Sequence, residues 1–215
     1  YASRGLGDVY KRQIQQTIMY FHKGGLVMWP LLFCSFLVFY VAIDRFLYYK
    51  SNDSGQKFCT DYCSLLNNDQ TKEALDLAKS ANGECAKILV AATETYSDKA
   101  QKTAYLEAQA GIFIANLRSK LDYLSIIVTM SPLLGLLGTI VGMIGAFSIF
   151  NLQAGAPIAI TGGIGEALIA TAAGLCVAII SLCIHSYFNH RLDIIITNME
   201  QCFSALLAAD TRSGM

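Results

Sequence analysis

The sequence predicts an all-α membrane protein, with three transmembrane helices and a helical cytoplasmic domain formed by the segment between spans one and two and by the C-terminal tail. Three observations predict it. The 215 residues hold only 16 Lys and Arg and 16 Asp and Glu, so 15% are charged, while 54% are hydrophobic and the mean hydropathy is +0.43; an ordinary soluble domain is about 25% charged. The shortage is local, because Glu166 is the sole Asp, Glu, Lys or Arg in the 68 residues 123–190. Finally, apolar runs of spanning length alternate with polar segments whose apolar residues recur at helical spacing. This composition excludes disorder, and the zero net charge excludes a strongly basic nucleic-acid-binding protein.

The elements follow in order. Residues 1–13 do not begin with Met, and Ser3-Arg-Gly-Leu-Gly-Asp-Val-Tyr-Lys-Arg-Gln13 looks like a translated cloning linker or a disordered leader, to be left out of fold reasoning. Without it the chain has 13 basic and 15 acidic residues, a net charge of −2. Residues 14–25 form an amphipathic segment. The first span is placed at 26–48; its residues 26–43 contain no charge and just cross a hydrocarbon core of about 30 Å. The run closes at Asp44 and Arg45, with Trp29 at one end and Phe46, Tyr48 and Tyr49 at the other as interfacial anchors. It is too long for a secretory signal and lacks a small-residue cleavage site, so it anchors the chain.

The middle segment, 49–122, reads as helices between polar breaks. Asn52-Asp53-Ser54-Gly55, Asn67-Asn68-Asp69 and Ala81-Asn82-Gly83 are turn and cap signals. Ala74, Leu75 and Ala78 mark one helix; Cys85, Ile88, Leu89, Ala92 and Tyr96 mark the next. Residues 99–122 continue helically into span two, 123–150. Residues 151–157, Asn-Leu-Gln-Ala-Gly-Ala-Pro, make a short loop before span three, 158–188. Within 189–215, Leu192, Ile195, Ile196, Met199, Cys202, Phe203 and Leu206 form the apolar stripe of a C-terminal helix.

Nine Lys and Arg lie within residues 50–120 and none in the loop between spans two and three. The positive-inside rule therefore places the middle segment and the C-terminus in the cytoplasm, and the N-terminus and short loop outside. Arg4, Lys11 and Arg12 oppose this orientation only if the leader is native. Reduced thiols are the expectation for the seven cysteines. Cys59 and Cys63 share a helix face, but with no nearby His or further Cys in sequence no metal site is expected. No nucleotide loop, nucleophile elbow or zinc-protease helix is present, and Gly162-Gly163-Ile164-Gly165 lacks the spacing and preceding strand of a phosphate cradle. No enzymatic constellation emerges.

Two features of the spans carry chemistry. In span two Ser131, Gly135, Gly138, Gly142 and Gly145 are spaced 4, 3, 4, 3, a small-residue seam of the kind that lets membrane helices approach, with Thr139 beside it and Pro132 positioned to bend the helix. In span three Gly162, Gly163, Ala170, Thr171, Ala173 and Gly174 accompany Glu166. A charge at the bilayer centre costs about 2.5–3.5 kcal/mol even on insertion scales and by default marks an ion or substrate path. An acid that takes a proton from one side and releases it to the other is the functional reading; the alternative is an ion pair with a cation from the end of span one or from another chain. His185 and His190 lie near the cytoplasmic end, where an interfacial role is simpler than a relay.

Gly24-Gly-Leu-Val-Met-Trp-Pro-Leu-Leu32 with Asp44-Arg45, the glycine run from Pro132 to Phe147, and Gly163-Ile-Gly-Glu-Ala-Leu-Ile-Ala-Thr-Ala-Ala-Gly-Leu-Cys-Val-Ala-Ile179 closely resemble the signature segments of MotA/TolQ/ExbB proton channels. The ExbB/TolQ branch fits best, since MotA has four spans. The resemblance implies a proton-channel subunit of the bacterial inner membrane, using protons as coupling ion and no other cofactor. It implies a homo-oligomeric ring, a pentamer, around the single-span helices of an ExbD/TolR-like partner that supplies an essential Asp. The complex energises a TonB- or TolA-like protein acting on the outer membrane, with the N-terminus and residues 14–25 and 151–157 periplasmic. Residues lining the family's proton path match Thr139, Glu166 and Thr171; Gly135, Gly138, Gly142, Gly145, Gly162 and Gly174 are the expected helix-packing positions. Ile180 departs from the family, where many members have Pro. A TolQ-like role in envelope constriction and, in another class, a passive membrane scaffold remain the alternatives.

Overall fold

The computed structural model describes residues 24–152 and 157–213 together with positions 15, 19 and 21; side chains at 149–152, 157–160 and 213 are not described. The linker at 1–13, positions 14, 16–18, 20, 22 and 23 of segment 14–25, and the centre of the 151–157 loop therefore lie outside the described residues. Among those described there are seven helices and no strand: α1 Met28–Asn52, α2 Gln56–Asn67, α3 Thr71–Ser80, α4 Glu84–Thr95, α5 Lys99–Arg118, α6 Leu121–Leu152 and α7 Pro157–Ser213. The stretches containing α1, α6 and α7 are long and apolar enough to cross a membrane. The protein is all-α with three candidate spans.

Local chemistry sets the boundaries. The Asp53 carboxylate accepts the Gly55 N–H at 2.8 Å, closing the turn between α1 and α2. Asp98 caps α5 by accepting the Gln101 N–H at 3.2 Å. Only Ser119 and Lys120 separate α5 from α6, and Ser119 keeps helical dihedrals. Pro157 opens α7 at the first helical position, where a missing N–H removes no helix bond. α7 then runs unbroken for 57 residues through the boundary placed at 188 and 189. Residues 184–192 contain neither Gly nor Pro, so nothing there interrupts the ladder.

The chain divides into two compact units. Tyr1–Tyr40 and Tyr123–Ile184 form one; Val41–Asp122 and His185–Met215 form the other. In the second unit α2 to α5 and the C-terminal stretch of α7 bury Tyr62, Leu66, Leu89, Leu117, Met199 and Leu206, among others. The apolar stripes of α4 and of residues 192–206 thus form a helical core. Cys59, Cys85 and Cys202 are also buried there, and Cys59, Cys63 and Cys202 come together. This corrects the premise that Cys59 and Cys63 have no further thiol nearby, because the partner lies 139 residues away in the chain and no local spacing could reveal it.

Polar side chains tie the ends of this unit. Arg45 is 4% exposed; its Nη1 donates to the Asn116 and Leu117 carbonyls at 2.9 and 3.4 Å, and the Tyr49 hydroxyl donates to Leu117 at 3.1 Å. These carbonyls belong to the last turn of α5, which has no intrahelical donors left to satisfy them. Asp44 accepts from both Arg45, at 3.0 Å, and Lys120, at 2.8 Å. At the other end of the unit Lys102 pairs with Asp210 at 2.6 Å, and Arg212 donates to Leu66 at the C-terminus of α2 at 2.9 Å. Arg45→Ala removes these charge-assisted bonds, leaving the Tyr49 hydroxyl on Leu117 and the Ser119 hydroxyl on Asn116, and is expected to cost about 1–3 kcal/mol. Thermal unfolding of the detergent-solubilised protein checks it, and an unchanged midpoint refutes it.

Candidate functional site

The first unit is organised by α6 and α7, which pack antiparallel through small residues. A β-carbon added at Gly135 would meet the Thr171 backbone at 3.1 Å; one at Gly142 would meet the Gly163 carbonyl at 3.1 Å; one at Gly174 would meet the Ser131 carbonyl at 2.6 Å. Gly138 lies against Ala170, and Gly163 against Ala146. The seam therefore runs along Ser131, Gly135, Gly138, Gly142 and Ala146 on α6, facing Gly163, Ala167, Ala170 and Gly174 on α7. Among the described residues nothing stands within 4 Å of a β-carbon added at Gly145 or Gly162, and Ala146 and Gly163, one position further on, fill the seam instead. The α6 series is spaced 4, 3, 4, 4 and the α7 series 4, 3, 4, so the α7 half could have been found by treating Ala as equivalent to Gly.

Helix geometry then places the polar residues. Glu166 and Thr171 lie on opposite shoulders of the α7 seam, about 140° apart at roughly 100° of rotation per residue. On the Thr171 side its hydroxyl donates across the seam to the Gly135 carbonyl at 3.2 Å and also reaches its own helix at Ala167, 3.3 Å away. Thr139 projects from the same side of α6, its hydroxyl bonded back to Leu136 at 2.6 Å. On the other side Val27 lies against Gly138, and Ile169 against Gly24. The turn entering α1 covers this side.

Glu166 points into that turn. A β-carbon at Gly25 would overlap Oε1 of Glu166 and stand 3.1 Å from its carboxyl carbon, so the carboxylate rests directly on the Gly25 backbone. Gly25 has φ of +69°, a left-handed conformation, and its carbonyl accepts the first turn's Met28 N–H at 3.2 Å. The acid therefore sits beside the N-terminus of α1, a helix end that attracts anions. Glu166 is part-exposed, and among the described residues no Lys or Arg pairs with it. Gly25 is the site residue that sequence reasoning missed, although the Gly24-Gly25 pair just ahead of an apolar helix was its signal. Gly25→Ala is expected to cost about 1–2 kcal/mol for the left-handed backbone and to displace the Glu166 side chain. A lowered unfolding midpoint checks it; an unaltered midpoint refutes it.

The remaining residues lie away from this cluster. His185 Nε2 is 2.9 Å from the Asn189 amide, and both His185 and His190 belong to the second unit. Ser131, fully buried in the seam, has no hydrogen-bond partner for its hydroxyl among the described residues. The outer faces of the spans expose Phe33, Phe36, Leu133, Ile140, Leu168 and Ile179, as lipid or neighbouring helices require.

Comparison with known proteins bears on this arrangement. The sequence profile of the MotA/TolQ/ExbB proton channel family matches residues 77–201, which include α6, Glu166 and most of α7. The chain is 32% identical over 189 residues to a Synechocystis sp. protein described as "Putative biopolymer transport protein ExbB-like 1", covering 85% of this chain and 74% of the relative. It is 28% identical over 175 residues to "Biopolymer transport protein exbB1" of Vibrio cholerae serotype O1, covering 78% and 74%. Against "Biopolymer transport protein ExbB" of Neisseria gonorrhoeae the identity is 26% over 167 residues, covering 70% and 73%. With three apolar helices, an antiparallel small-residue seam and one acid set against it, the chain belongs to the MotA/TolQ/ExbB proton channel family.

Proposed function

We propose that this chain is the proton-conducting subunit of an ExbB-ExbD-like motor in the bacterial inner membrane, with its N-terminus periplasmic and its C-terminus cytoplasmic. The observation that carries the proposal is Glu166: the one acid in 68 residues, part-exposed and set against the backbone of Gly25 at the mouth of α1. An acid held without a described cation partner can alternate between carboxylate and carboxylic acid as protons arrive and leave. Thr139 and Thr171 offer hydroxyls that donate and accept along the same pair of helices. Because the two threonines and the acid open on opposite sides of the α6 and α7 seam, a path joining them is completed outside the single chain. That requirement supports a homo-oligomer enclosing single-span helices of an ExbD/TolR-like partner, and the family resemblance makes the ring a pentamer.

The output is work on a TonB- or TolA-like protein. One proton crossing 100 mV releases about 2.3 kcal/mol, so a forceful stroke needs several. The names carried by the relatives favour a transport role over envelope constriction. Purified complex in liposomes, with an imposed membrane potential and an internal pH dye, tests the reading. Flux is expected with the native chain and absent with Glu166→Ala. No flux from either in an intact complex supports the passive scaffold instead, and equal flux from both assigns conduction to a group other than Glu166.

A further inference from the structure

Four of the seven cysteines gather in the unit of residues 41–122 and 185–215. Cys59 and Cys63 stand one turn apart on α2, Cys202 reaches them from α7, and the three Sγ atoms lie within 4.8 Å of one another. Cys85, near the start of α4, makes a thiol contact with Cys202. Cys59, Cys85 and Cys202 are buried, Cys63 is half-buried, and all four are reduced. Cys59, Cys85 and Cys202 also line a cavity of about 10 Å³, room for about one water-sized sphere and thus for a smaller metal ion. Burial pushes the Cys59 and Cys63 thiols up to about 12. The Cys202 thiol is raised as well, by its contact with Cys85 and by burial. A coordinating cation deprotonates thiols outright and cancels the repulsion between the thiolates.

We infer that Cys59, Cys63 and Cys202 form a thiolate site for one Zn(II), with Cys85 placed beside it as the fourth ligand. The donor set is all sulfur, which selects soft or borderline ions over Mg(II) or Ca(II). Zn–S bonds of about 2.3 Å put tetrahedral sulfurs roughly 3.8 Å apart, a small contraction of the present cluster. Four thiolates around Zn(II) leave two net negative charges, against three around Cu(I), and in a buried site the smaller residual charge costs less. Binding breaks four S–H bonds, forms four Zn–S bonds and releases four protons to solvent, with no change of oxidation state. The ion would pin α2 to the C-terminal stretch of α7.

The test uses the full chain in detergent, kept in a thiol-free reductant, stripped with a chelator and titrated with ZnCl2 or CoCl2. The expected result is one Zn(II) per chain after desalting, a thiolate-to-cobalt charge-transfer band, and slower alkylation of Cys59, Cys63 and Cys202 but not of Cys176. Loss of even an outer-shell partner costs metal sites about 10–100-fold in affinity, so Cys63→Ser is expected to weaken binding by about 100-fold or more. Cys63 is only half-buried, so this variant keeps its helical content if Cys202→Ala does not. Cys176→Ser should leave binding unchanged. Retention of less than one Zn(II) per chain by the native protein, equal retention by Cys63→Ser, or a disulfide among these cysteines in place of metal overturns the inference.

Discussion

Glu166→Gln is expected to reduce proton flux through the reconstituted complex to the background leak of the liposomes while leaving assembly intact. Gln preserves length and shape, so the contact with Gly25 and the packing of α7 should survive. What disappears is the exchangeable charge. No other Asp or Glu lies in residues 123–190, so no neighbour on these spans can take over the proton. Conduction measured alongside the mass of the purified complex separates the two effects. Residual flux well above the leak would mean that the conducting group lies elsewhere, on the partner or along the threonines. Loss of the complex would instead assign Glu166 to assembly.

Gly174→Val is expected to destabilise the α6 and α7 pair by about 1–3 kcal/mol, and more if the seam cannot open. The three nearest atoms to an added β-carbon are the Ser131 carbonyl oxygen at 2.6 Å and the Gly135 Cα and N at 3.0 and 3.1 Å. All are backbone, so no flexible side chain can step aside, and the helices must separate. Gly145→Val is the matched control, since an added β-carbon there meets nothing within 4 Å among the described residues. Thermal unfolding in detergent should show a clear fall for the first and almost none for the second within one chain. If Gly145→Val keeps the chain stable but prevents ring formation, Gly145 packs between copies; equal falls for both variants would refute the seam described above.

Much of this arrangement was legible without coordinates. The glycine spacing marked the α6 face of the seam, because period 3.6 translates directly into a stripe. Glu166 stood out because an acid in an apolar run is expensive and therefore rare. The side on which each residue lies was harder. Thr139, Glu166 and Thr171 read as one group along the chain, yet they divide across the seam, since their separation depends on which face of each helix meets the other. Gly145 and Ala146 illustrate the same limit, because both are small and a shift of one position turns the contact by about 100°.

The sequence by itself determined the all-α class, three apolar spans, a helical second unit and a lone acid, because each follows from local composition and periodicity. Only the tertiary structure decided that Glu166 rests on Gly25, that Arg45 caps α5, and that Cys202 joins Cys59 and Cys63. Those three contacts span 141, 71 and 139 or more residues of chain. Periodicity has no memory over such distances. Long-range packing chooses these partners, through which helix faces exclude water or lipid together.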